Sequence, residues 1–179
     1  MMVKRLLIVL PALLLICDTA HSRTKHPIPP EQTEFAAENS GLDRPVEIPS
    51  DVMTILGNDE MVRNELRNES LPADQLPSEW FLASAIHLST PGERDLIVVA
   101  KKPIVEGNSV SFWVFRLAAQ DHQLVLTARG RDLIVKKTRW KGYRNIELSV
   151  GTVTQITSIL FRWDGAKYSE YREQAVKIP

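Results

Sequence analysis

Lys136, Lys137, Arg139, Trp140, Lys141, Tyr143 and Arg144 place five cations and two aromatic rings within nine positions. The chain as a whole is electrically balanced, with 22 basic and 22 acidic residues. A guanidinium can hold a carboxylate through two parallel N–H donors. Tyrosine and tryptophan offer wide faces with a polar edge, suited to stacking on a sugar ring or a cation. Arg139, Trp140, Lys141, Tyr143 and Arg144 are therefore the candidate binding residues, facing an acidic protein or a glycan. A plainer reading gives the same residues a local job. Trp140 and Tyr143 would then flank a two-residue turn as a cross-strand pair that stabilises the hairpin by about 0.2–1 kcal/mol. The cations would protect an edge strand from aggregation.

Nothing in the chain spells out a catalytic constellation. There is no Gly-x-Ser-x-Gly elbow, no His-Glu-x-x-His pair and no phosphate-cradling glycine loop. Beyond the first 22 residues the histidines are His26, His87 and His122, scattered along the chain. His87 alternates with Ile86 and Leu88 as a solvent-facing strand residue would, and His122 falls in a polar turn. His87, Glu93 and Asp95 form the one grouping from which a hydrolase could be assembled. No catalytic residue, metal ligand or cofactor is assigned. Glu60, Glu65 and Glu69 read as a solvated helix surface. Asn68-Glu69-Ser70 is a glycosylation sequon, relevant where the host glycosylates exported chains.

Lys4 and Arg5 precede an apolar run from Leu6 to Cys17, followed by Ala20-His21-Ser22. Charged start, short apolar core and small-residue exit predict a secretory signal over residues 1–22, cleaved after Ser22. The run is too short to span a hydrocarbon core, which takes about 20 apolar residues. A lipoprotein signal at Cys17 is disfavoured by Ile16, where such signals carry a small residue. Cleavage leaves 20 basic against 21 acidic residues, so no field draws in nucleic acid. It also removes the only cysteine, so the core must stabilise the exported chain without disulfides.

Behind the signal, three textures follow. Residues 23–47 are rich in Pro and Glu and read as a flexible leader. Residues 48–179 read as a single β-rich domain. It opens with a helical segment over 50–68, in which Val52, Ile55, Leu56, Val62 and Leu66 recur at helical spacing. Ser50 is the expected N-cap, Gly57 the expected break, and Asn58 or Asp59 the cap of the second piece. Eight strands are then predicted, over 80–88, 95–100, 112–117, 123–128, 133–139, 143–150, 154–163 and 167–171, from their valine, isoleucine, threonine and aromatic content. Asp164-Gly165 and Lys141-Gly142 supply tight turns. Phe112 to Phe115 and Leu133-Ile134-Val135 are apolar at successive positions, which predicts central strands buried on both faces. The expected fold class is mainly β (α+β), an antiparallel meander of about seven to eight strands in two blade-like units, with the amphipathic helical segment packed against it.

The two-unit expectation comes from a repeated pattern. Gly92-Glu93-Arg94-Asp95-Leu96 recurs as Gly142-Tyr143-Arg144-Asn145-Ile146, fifty residues later. Phe115-Arg116 recurs as Phe161-Arg162 after forty-six. A period of this size marks a repeated structural unit. The pattern resembles the FG-GAP or VCBS type of β-propeller blade repeat over residues 88–171, about two units. That resemblance implies a turn-and-strand-start role for Gly92, Asp95, Gly142 and Asn145. The family's calcium loop does not carry over. Leu88-Ser89-Thr90-Pro91 and Thr138-Arg139-Trp140-Lys141 hold no carboxylate where the family needs several, and two units are too few to close a ring of typically four to eight blades.

The leading functional expectation is an exported, non-enzymatic binding or interaction module of the periplasm or cell envelope, with an envelope protein or glycan as partner. The alternatives are a secreted hydrolase with a site built from separated residues, and a structural subunit that completes its sheet with another chain.

Overall fold

The computed structural model describes residues 31–36, 42–89, 94–105, 107–152 and 154–177. The expected signal segment and Cys17 lie outside the described residues. Ten strands make two antiparallel, five-stranded sheets. One sheet contains β2 (Pro45–Val46), β3 (Phe81–Ile86), β4 (Asp95–Ala100), β5 (Val110–Ala118) and β6 (Asp121–Gly130), in that order. The other has the order β1 (Glu34–Ala36), β7 (Asp132–Trp140), β8 (Tyr143–Gly151), β9 (Gln155–Trp163) and β10 (Tyr168–Lys177). Each sheet is thus a sequential four-stranded meander with one short strand added at its start. Arg131 alone separates β6 from β7, so the chain passes from one sheet to the other there. At that junction a side chain on Gly130 would lie 2.6 Å from the Ser149 carbonyl oxygen, which requires glycine.

Two helices complete the domain: α1 (Ser50–Gly57) and α2 (Glu60–Asn68). The break falls at Asn58 and Asp59. Asp59 caps α2, its Oδ1 accepting from the N–H of Met61 at 2.9 Å and of Val62 at 3.4 Å. Its Oδ2 accepts from Trp113 Nε1 at 3.0 Å, so one side chain both starts the helix and ties it to β5. The expected cap at Ser50 does not form: Pro49 occupies the cap position and Ser50 is the first helical residue. Proline suits that boundary because its fixed φ leads into the helix without an N–H to satisfy.

The helices cover the Ser111 and Trp113 face of β5, where Ser111 Oγ also meets Met61 Sδ at 3.0 Å. Phe81 packs edge-on against Trp113, ring centres 5.7 Å apart. The opposite face of β5 turns Phe112 and Val114 toward the second sheet. Both faces being covered, β4 and the first six residues of β5 are buried throughout, as their unbroken apolar runs predict. The second sheet has one dry face, formed by Phe35, Leu133, Val135, Ile146 and Leu148. Its other face meets solvent. Ile134 is half-buried there, so the Leu133–Val135 run is covered on one face and not on two.

Two described parts of residues 23–47, expected as a leader, are paired strands. Glu34–Ala36 pairs with β7 and buries Phe35 opposite Leu133. Pro45–Val46 pairs with β3. Proline at an edge strand is tolerated because its missing N–H faces away from the ladder. These two strands raise the count from eight to ten. The eight predicted strands all form, and the last runs on to Lys177, beyond the expected Tyr171.

Candidate functional site

The hairpin that joins β7 to β8 carries the residues singled out by composition. Lys141 (φ +48°) and Gly142 (φ +84°) form its two-residue turn, and Trp140 lies opposite Tyr143 in the register. Positive φ at both central positions matches the twist of the flanking strands. The rings of this register pair part company. Tyr143 stacks on Trp163, centres 4.3 Å apart and planes 22° from parallel. Trp163 in turn meets Tyr168 edge-on at 5.6 Å. The Arg116 guanidinium, on the other sheet, lies 5.9 Å from the Tyr143 ring and 5.5 Å from the Trp163 ring. Tyr143 therefore belongs to the seam between the sheets.

Arg144 is also structural. It is 8% exposed, and all three of its guanidinium nitrogens are committed. Nε donates to the Lys136 carbonyl at 2.9 Å, Nη2 to the Val135 carbonyl at 2.9 Å, and Nη1 to Glu31 Oε2 at 2.8 Å. Its backbone N–H donates to the Leu88 carbonyl, and its carbonyl accepts from the Tyr168 hydroxyl at 2.8 Å. Burial, then the Asp95 charge, pushes the Tyr168 phenol well above its ordinary pKa, so it stays a donor at any physiological pH. Arg139 spends Nη1 on the carbonyls of Leu88, Ser89 and Gly142. Lys141 Nζ donates to the Asp164 carbonyl at 2.7 Å.

Trp140 stands apart, 46% exposed on the solvent face of the second sheet. The Arg162 guanidinium of β9 lies 4.8 Å from its ring centre. The same guanidinium also lies 3.5 Å from the ring centre of Tyr171, on β10, which is 57% exposed. Trp140, Arg162 and Tyr171 thus form a stack across the outer face. Arg162 Nε is buried without a hydrogen-bond partner among the described residues, so ring faces and not acceptors hold this guanidinium. A β-bulge at Tyr171, between the register positions of Glu170 and Arg172, turns that ring toward the stack. Trp140 stands out in the sequence, whereas Arg162 and Tyr171 do not. The repeated Phe-Arg ending of the strands was a signal for Arg162, but only the strand order brings it beside Trp140.

The hydrolase grouping does not assemble among the described residues. Asp95 is fully buried, its Oδ2 accepting from the Leu88 N–H at 2.9 Å and its Oδ1 from the Leu117 N–H at 3.0 Å. It ties β3 and β5 to the start of β4. Asn145, fifty positions on, donates through Nδ2 to Thr138 Oγ1 at 2.9 Å. His87 turns to Glu31: its N–H and its Nδ1 meet Glu31 Oε1 at 2.6 and 2.8 Å. Glu93 lies outside the described residues. His122 makes a matching clip with Asp51 Oδ2, at 2.8 Å from its N–H and 2.9 Å from Nδ1, which pins α1 to β6. No group of three or more metal-ligating side chains occurs among the described residues, and no helix there is long and apolar enough to cross a membrane.

No protein-family model matches the chain, and comparison with curated proteins and with solved structures gives no significant match to either.

Proposed function

We propose that this chain is an exported, non-enzymatic interaction module of the cell envelope. Its contact surface is the Trp140–Arg162–Tyr171 stack, and its partner is an envelope protein or glycan that presents carboxylates. The carrying observation is the stack itself. A guanidinium packed against two exposed rings, with no acceptor among the described residues claiming it, is preorganised to grip a carboxylate through paired donors. The rings add wide contact area at low entropic cost, and arginine, tryptophan and tyrosine dominate binding hot spots. This moves the contact from the turn residues themselves to the sheet face beside them. Trp140 and Lys141 stay on that surface, while Arg139, Tyr143 and Arg144 hold it in place.

Export is inferred from Lys4, Arg5 and the apolar run to Cys17. The blade-repeat resemblance is supported by matched registers, Leu96 opposite Phe115 in one meander and Ile146 opposite Phe161 in the other. The cross-strand pairs Ala85–Leu96 and Val135–Ile146 repeat the offset of fifty. A catalytic role finds no support in Asp95, whose carboxylate is spent on backbone amides. Sheet completion through β10 is disfavoured by its bulge and by Glu170, Arg172, Glu173 and Lys177, which are devices that blunt an edge.

The test is recovery of partners from envelope extract by the wild type and by a Trp140→Ala, Tyr171→Ala double variant. The expected outcome is salt-sensitive recovery lost in the variant, since exposed charges are screened over about 8 Å at physiological ionic strength. Equal recovery by a folded variant would overturn the assignment.

A further inference from the structure

A cavity of about 380 Å³ opens where the second sheet meets the end of β3, lined by Glu31, His87, Lys137, Arg139 and Arg144. That volume falls within the range of small-molecule sites, which are typically 300–1,000 Å³. Its walls carry three permanent cations against one carboxylate, in a chain whose charges balance overall. Arg139 follows Trp140 in reverse along β7 and so points to the other side of the strand, away from the exposed stack.

The cations are held differently. Arg144 is saturated by Glu31 and two backbone carbonyls. Arg139 is fixed through Nη1 alone, and its Nε and Nη2 make no hydrogen bond or ion pair among the described residues. Lys137 is exposed and makes none there either. A fixed guanidinium edge and an exposed ammonium thus face one open cavity beside His87, whose side chain is 44% exposed. Glu31 shows what the walls accept, because its carboxylate bridges His87 and Arg144.

We infer that this cavity binds the carboxylate of a small acidic molecule, of uronic-acid size and chemistry. Arg139 and Lys137 supply the donors, and Glu31 is the resident anion that limits affinity. The inference is independent of the exposed stack. A sugar-sized acid fits within the volume, and its carboxylate pairs with the free edge of Arg139 in the fork geometry that guanidinium favours. Glu31 holds Arg144 and His87 in place while its negative charge opposes the incoming one, so its neutralisation is expected to tighten binding.

The experiment is a titration of the purified protein with glucuronate, acetate and inorganic phosphate at constant ionic strength, with chloride as the control, followed by amide and guanidinium NMR shifts. The expected result is a saturable shift centred on Arg139 Nε and the His87 amide with glucuronate. Lys137→Ala should weaken it about tenfold, the loss of one charge-assisted contact. Glu31→Gln should tighten it several-fold, and Lys101→Ala, an exposed cation elsewhere, should leave it unchanged. Shifts that rise linearly and match chloride would overturn the inference. Saturation by phosphate and not by glucuronate would overturn the assignment to carboxylates. If Glu31→Gln fails to fold, Lys137→Ala still decides, because an exposed lysine without partners among the described residues is dispensable to the fold and an unchanged affinity in that variant contradicts the proposal.

Discussion

Glu31 and Arg144, separated by 113 positions in the sequence, meet through a 2.8 Å ion pair that fastens the first described residues to the middle of the second sheet. Arg144 is nearly buried and Glu31 about three-quarters so, which makes the pair stronger than a surface salt bridge and costly to break from one side. Arg144→Met is expected to destabilise the domain by about 2–4 kcal/mol, because it orphans the Val135 and Lys136 carbonyls and leaves Glu31 without its cation. Urea unfolding of the variant measures this directly. A loss below about 0.5 kcal/mol would show that the pair is incidental.

Asp59 joins the start of α2 to the sheet beneath it through the Trp113 N–H. Removing its carboxylate takes away the helix cap, which contributes about 1 kcal/mol, and leaves the buried Trp113 N–H without an acceptor, at about 1–3 kcal/mol. Asp59→Ala should therefore lower stability by about 2–4 kcal/mol, while Asp59→Asn, which can still accept, should cost less than half as much. Equal losses in the two variants would mean that charge, and not hydrogen bonding, is what matters there.

Two aspartates give the fold an acid-sensitive edge. At the Asp164-Gly165 turn, the N–H groups of Lys167 and Ala166 and the Ser169 hydroxyl all donate to Asp164, holding its pKa at about 2. Burial opposes ionisation of Asp51, but hydrogen bonds from the His122 N–H and imidazole, with that of Val52, outweigh it and set its pKa below the ordinary value. In both cases the folded value lies below the unfolded one. The stabilisation is fully present above about pH 4 and is lost as pH falls through the folded value. NMR titration of the Asp164 carboxyl should give a midpoint near 2. A midpoint near 4 would mean that the turn does not hold the carboxylate.

Much of the strand pattern was legible because β-branched runs between turn residues carry their own signal. Asp164-Gly165 and Lys141-Gly142 fixed two hairpins, and the apolar run of β5 announced burial on both faces. The short strands were not legible. Phe35 is the one large apolar residue of its short strand, and its burial depends on Leu133, nearly a hundred positions away. Composition averaged over Pro and Glu hides so short a pairing. The site was legible in part. Trp140 and its cations stood out, but a cation-rich hairpin reads as solvent-facing, so the burial of Arg144 had no local sign. The clamp on Arg162 depends on strand order and on the bulge at Tyr171, and neither is encoded within a window around Trp140.

Trp140 is the only exposed tryptophan of the four, since Trp80, Trp113 and Trp163 are all buried. Its emission therefore reports directly on the proposed contact surface. The decisive measurement is acrylamide quenching of the purified protein before and after addition of soluble envelope extract, with Trp140→Phe as the reference. The expected result is a readily quenched component in the wild type, absent from Trp140→Phe, that becomes shielded as extract is added and is exposed again at high salt. A component that stays equally quenchable at saturating extract would contradict the claim that the Trp140–Arg162–Tyr171 face is where this protein meets its partner.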